Sequence, residues 1–339
     1  MRLVFPFLAI FTAAVATSAN VPVAISDVSV TGTENPAALS AFGFFNGSAA
    51  KPSTVLIPYQ LRTPLFSDYA SKQRFIYLPA GKALTADAYG KIQFPVGTAL
   101  IKSFGYPARS GGLDIIETRV LLHKPLGWVA LPYVWRADGT DADLRLGGTR
   151  VPVAFEHDGK KTSISYAVPN KNQCKQCHAS ANNIMPIGPV WQNMEFPRSG
   201  DLQRLSKMVP AIASHRPFAR WDAIATGTLD ERARQYLKVN CGHCHAPEGS
   251  ASNSGLFLDG SARNPAASGL GKRPVAAGRA SGDLDFIIAP GLPDRSILIK
   301  RMESTDPGIA MPELGRSTVH KEGVALLREW IAQMPSQVH

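Results

Sequence analysis

Two stretches of this sequence repeat one chemical shape. "NQCKQCHASANNIMPIGP" (172–189) carries Cys174, Cys177 and His178, and "VNCGHCHAPEG" (239–249) carries Cys241, Cys244 and His245. These are all four cysteines of the chain, each pair in the form Cys-x-x-Cys-His. At helical spacing, positions i, i+3 and i+4 lie on one face, so two thiols and an imidazole meet one flat ligand together. Haem suits that arrangement: the thiols add to its two vinyl groups and the adjacent histidine binds iron, which fixes the porphyrin covalently. Redox disulfides, structural bridges or one shared Zn site are the alternatives, and none of them requires the trailing histidine. Two covalently bound haem c groups are therefore expected, on Cys174 and Cys177 and on Cys241 and Cys244, with His178 and His245 as axial ligands.

A six-coordinate iron needs a second axial ligand, and methionine sulfur there raises the potential relative to histidine. For the second haem the candidate is Met311 in "GIAMPELGR", where Pro312 stiffens the loop. For the first, Met185 stands closest in sequence. Met194, Met208, His215, Tyr69 and His123 have longer tethers.

Elements that position these groups differ between the two halves. Residues 54–169 read as β-rich: "RFIYLPAG", "KIQFPVGTALIKSF", "DIIETRVLLH", "GWVALPYVWRADGTDADLRL", "VPVAFEH" and "TSISYAV" are short β-branched and aromatic runs separated by turn signals such as "HDGK". This spacing predicts an antiparallel, sandwich-like domain in which Trp128, Tyr133 and Trp135 pack rather than form a binding platform. Residues 20–53, rich in Ala, Ser, Asn, Pro and Gly, read as an extended lead-in. Residues 228–339 read as mainly α-helical. "TLDERARQYLKVNCGHCH" begins at a cap on Thr228 or Asp230 and delivers the second motif, and "HKEGVALLREWIAQM" presents Val324, Leu327, Trp330 and Ile331 as one stripe. Residues 170–227 bridge the halves and carry the first motif. The fold class is thus α+β.

The N-terminus "MRLVFPFLAIFTAAVATSAN" combines Arg2, an apolar run and small residues, an export signal with cleavage after Ala19. Residues 1–19 are set aside from the fold, a periplasmic location follows, and no later apolar run is long enough to span a bilayer. The formal charge of +10 over 339 residues is scattered rather than clustered, which with export argues against nucleic acid and leaves a basic face for an acidic redox partner.

Residues 228–339 resemble a class I cytochrome c domain. Nearly the whole mature chain resembles a family of exported bacterial dihaem c-type cytochromes through "LRTPLFSDYASKQRFIYLPAG", "FPVGTALIKSF", "YAVPNKNQCKQCH", "MPIGP" and "MPELGRSTVHKEGVALLREWI". The resemblance implies single-electron transfer between redox partner proteins, with no catalytic residue required and Met311 as the second iron's methionine. Two other readings stay open: a peroxidase-like haem oxidoreductase with an open first haem and Glu195, His215 or Asp222 as acid or base, and an electron-outlet subunit of a larger dehydrogenase.

Overall fold

The computed structural model describes residues 24–335 apart from 88, 110, 181–182, 199, 202–215 and 277; the export signal read at 1–19 lies outside the described residues. Six strands follow one another in chain order across one antiparallel sheet: β1 Ile57–Pro58, β2 Ser71–Tyr77, β3 Ala99–Pro107, β4 Leu113–Lys124, β5 Gly127–Trp135 and β6 Ala142–Leu144. Strands β7 Thr149–His157 and β8 Lys160–Val168 pair only with each other, joined through Asp158 and Gly159, whose φ of 49° and 71° give the left-handed two-residue turn a twisted hairpin favours.

Side chains alternate across a strand, so the register sorts the six-stranded sheet into two faces. One face carries Phe75, Ile101, Val120 and Leu131 into a core completed by Val30, Phe42, Phe44 and Phe45. On the other face, Ile76, Leu100, Leu121 and Ala130 form an apolar row. Beside it Arg74, Lys102 and Arg119 stand directly opposite one another, and Lys72, Phe104 and Glu117 follow in the next row.

The sandwich expected over 54–169 is corrected. The second layer is only a two-stranded piece: β7 and β8 pair with each other alone and pack Tyr166, Val168 and Phe155 on Phe104 and Tyr106, at one end of the six-stranded sheet. The layer over the aromatic face comes instead from residues 24–56, expected as an extended lead-in. Helix α1 (Asp27–Thr31) and a 3-10 turn at Leu39–Phe42 lead to three phenylalanines that are 0–6% exposed. Phe42 and Phe44 stack at 4.9 Å, and Tyr133, which is fully buried, meets Phe42 edge-on.

A mainly α-helical, cytochrome c-like unit over 228–339 is also overturned. The molecule is β-rich with five short helices among the described residues, and this part holds only three of them: α3 Leu229–Asn240, α4 Ile297–Glu303 and α5 Lys321–Ala332; the remaining helix, α2 (Lys171–His178), belongs to the bridging segment. The Gly, Ala, Ser and Pro content between α3 and α4 supports isolated turns and 3-10 pieces rather than helix. What holds this part is one apolar cluster in which Tyr236 and Leu237 of α3 meet Val324, Leu327 and Trp330 of α5. Gly323 is needed at that crossing: a Cβ there would come within 2.3 Å of the Tyr236 hydroxyl. No helix among the described residues is long and apolar enough to cross a membrane.

The halves meet through polar anchors. The Asp68 carboxylate, 2% exposed, accepts from the Ser317 and Thr318 amides and the Thr318 hydroxyl at 2.7–2.9 Å. The Tyr69 hydroxyl donates to Val319 O at 3.2 Å and contacts Glu322, and the Phe66 amide donates to Asn240 Oδ1 at 2.8 Å.

Candidate functional site

The first motif starts where β8 stops. Pro169, without an N–H, ends the strand, and Asn170 caps α2: its side chain accepts from the Gln173 amide at 2.9 Å while Gln173 Oε1 accepts from the Asn170 amide at 2.9 Å. Helix α2 then presents Cys174, Cys177 and His178 together. Cys174 is buried in the apolar patch of Ile76, Leu100, Leu121 and Met194, while Cys177 and His178 are half-buried. Past the helix the chain doubles back, Ala179–Ser180 pairing with Asn183–Ile184, so that the Met185 amide donates to His178 O at 2.8 Å and Met185 O lies 3.1 Å from His178 Nδ1. A carbonyl can only accept, so Nδ1 carries the proton and Nε2 keeps its lone pair. Burial pushes the His178 pKa down to about 4, which keeps the ring neutral.

The second motif follows α3, capped reciprocally by Thr228 and Glu231 at 3.2 and 2.8 Å. Beyond Asn240 the chain tightens into turns: the Cys241 and Gly242 amides both reach Leu237 O, and the Cys244 and His245 amides both reach Cys241 O. Gly249 closes this turn against Cys244, where a Cβ would sit 2.2 Å from the Cys244 carbonyl oxygen. Cys241 packs against the α3–α5 core and burial pushes its thiol up to about 12. Burial lowers the His245 pKa, and Ser254 Oγ lies 3.4 Å from its Nδ1.

Folding brings the two motifs side by side. Cys177, from the bridging segment, and Cys244, from the C-terminal part, share a hydrogen bond, and with His243 their ligand atoms lie within 4.8 Å of one another. That bond raises the Cys177 pKa, reinforced by burial. Donation from Cys177 holds Cys244 below the usual thiol range against burial, with help from His243 and Ser250. Sequence reasoning passed over His243 because it occupies a variable position of the motif. Its place between Cys241 and Cys244 was the available signal.

Around the motifs, the other expected ligands disperse. Met311 is half-buried, its amide donating to Arg301 O at 3.0 Å. Arg301 is close enough that its charge lowers the His245 pKa, so the Met311 loop belongs to the second motif's surroundings. Met185 is tied by its backbone to the Nδ1 side of His178, away from Nε2. Met194, 8% exposed, shares the buried patch of Cys174. His123 pairs with Phe94 O at 2.8 Å and stacks on Trp128 at 4.5 Å. Tyr69 sits against His157 and Glu322 at the junction of the halves. Met208 and His215 lie outside the described residues. Glu195 is engaged by Arg62 at 2.7 Å and Arg220 at 3.8 Å, and Asp222 by Arg220 at 3.4 Å, so neither carboxylate stands as a free acid or base.

The donor set fits covalently attached haem. All four cysteines are free thiols, and His178, kept neutral by burial, offers Nε2 with Nδ1 already engaged. Cys177, His243 and Cys244 also form a soft trio suited to Zn. No protein-family model, no curated protein and no solved structure matches the chain.

Proposed function

We propose that this protein is an exported dihaem electron-transfer protein, with haem c attached at Cys174 and Cys177 and at Cys241 and Cys244 and iron ligated by His178 and His245. The observation that carries the reading is the meeting of the two motifs at Cys177 and Cys244. Haems attached at thiols this close would lie within easy electron-transfer distance of each other. Haem supplies reversible one-electron chemistry when bound. The chain's own residues do the rest: Met185 O orients the His178 ring, the caps on α2 and α3 fix the approach of each thiol pair, and Met311 is the proposed second axial ligand at His245. The electrons pass to and from redox partner proteins in the periplasm. A stand-alone peroxidase fits less well, because Glu195 and Asp222 are held in ion pairs.

Intact mass after denaturation, on protein matured in an exporting host, tests the reading. The expected mass is that of the cleaved chain plus two haems, and a haem-free mass from competently matured material would refute it. A second reading has its own observation, the Cys177, His243 and Cys244 trio within 4.8 Å. It predicts one Zn per haem-free chain by elemental analysis, lost in His243→Ala.

A further inference from the structure

Arg74, Lys102 and Arg119 face one another directly across β2, β3 and β4, with Lys72 in the adjoining row. Like charges opposed across strands repel, and burial raises the cost. Glu117, fully buried, answers one of the four through Arg119 at 2.5 Å, and Tyr166 donates to the same carboxylate at 2.6 Å. Among the described residues no carboxylate comes within ion-pair reach of Lys72, Arg74 or Lys102. Lys72 Nζ has the Ala70 carbonyl at 2.9 Å, and Lys102 Nζ only the ring of Phe104 at 4.7 Å. Arg74 is 6% exposed, and its Nη2 is buried without any partner. Three basic groups beyond what Glu117 balances, among them Arg74 with a buried donor that has no partner, leave a place for an anion that would hold them charged.

The neighbours say which anion. This row lies on the same sheet face as the patch holding Cys174, and the charges of Lys102 and Arg119 act on His178 while Arg119 acts on Cys174 and Cys177. Lys102 and Arg119 also remain half-accessible though protein surrounds them, as groups lining a crevice do. We propose that Arg74, Lys102, Arg119 and Lys72 form a cradle for the two propionates of the haem attached at Cys174 and Cys177. The proposal rests on the dihaem reading. Two carboxylates beside one protein carboxylate bring the buried charge close to balance, and the guanidinium of Arg74 can take one of them through the Nη2 that has no partner.

The test compares the holoprotein with a chain that is haem-free at the first motif only. In that chain (Cys174→Ser with Cys177→Ser), Lys102→Met removes a buried amine beside Arg74 and Arg119 that has no counter-charge, so Tm rises. In the holoprotein the same substitution removes a counter-charge, so Tm falls. Loss of a cation beside the haem favours oxidised iron, and one of the two midpoint potentials drops by a tenfold change in the oxidised-to-reduced ratio, 59 mV for a one-electron couple. Arg74→Gln should repeat the pattern and guards against a variant that fails to fold. Equal Tm changes in both forms with unmoved potentials would overturn the cradle while leaving haem attachment intact. So would inorganic phosphate raising the Tm of the haem-free chain while the holoprotein's potentials ignore both substitutions, which would make the row a site for a free anion. A mass showing no haem on Cys174 and Cys177 would remove both readings together.

Discussion

Phe75 and Arg74 are neighbours in β2 and point to opposite faces of the sheet, and everything around them differs. On the Phe75 side the one group left over is neutral: Gln73 Oε1 is buried without a partner, while Ser103 and Thr118 hydroxyls lie 2.8 Å apart and Trp135 Nε1 donates to Thr118 at 2.9 Å. On the Arg74 side buried groups are left over. A face whose leftovers are neutral can specify the fold from within, whereas a face with unanswered basic groups is the one the proposed haem would complete. Both faces share strands and backbone hydrogen bonds, so the contrast lies in the side chains alone.

Substitutions can break that contrast, and the largest effect belongs to the charged side. Glu117→Ala in the haem-free chain strands Arg119 and should cost about 3–5 kcal/mol by denaturant unfolding. If the two faces were equivalent, this loss would be no greater than that of a polar group on the aromatic side. Ile101→Ala on the aromatic face should cost about 2–5 kcal/mol through lost burial and a cavity, with equal values with and without the proposed haem, since Ile101 packs on the face opposite the Cys174 patch. Thr118→Val leaves Ser103 and the Trp135 N–H unsatisfied and should cost about 1–3 kcal/mol.

The smallest effect is one of pH. Burial, with repulsion from Arg74 and Arg119 and only partial relief from Asp68, lowers Lys72 to about 7. The unfolded chain keeps that proton until near the usual 10.5, so between about 7 and 10.5 the unfolded state binds more protons. Raising pH through this window stabilises the haem-free fold, by less than about 1.4 kcal/mol per pH unit from one group. Lys72→Met should remove that rise. A slope unchanged in the variant would assign it elsewhere.

Parts of this were open to sequence reasoning. The spacing of Cys174, Cys177 and His178, and of their counterparts, depends only on local order, so each motif could be found without the fold. The strand runs, the turn at Asp158 and Gly159 and the cap at Thr228 are equally local. What escaped is what register decides. "SKQRF", "LIKSF" and "ETRV" mix polar and apolar residues without alternation, and only pairing reveals that Arg74, Lys102 and Arg119 share one row. Phe42, Phe44 and Phe45 were hidden because short apolar groups among Gly, Ser and Asn show no period. The mainly helical expectation for 228–339 rested on two good amphipathic segments, and the Gly- and Pro-rich loop between them takes up more of this part than the helices do.

Asp68 holds a left-handed backbone at φ 48°, as does Tyr69 at 60°, and its carboxylate takes three donors from Ser317 and Thr318, some 250 residues further along the chain. A ribosome adding about 5–20 residues per second needs about 10–50 s to make that intervening stretch. Throughout that interval the first third of the molecule has a socket and no plug. Contacts of such separation also slow folding, since the loop must close before they contribute. The join at Asp68 therefore makes completion of the β-half wait on residues 317–318, and an incomplete chain should present its buried surface to chaperones and proteases rather than persist half-built.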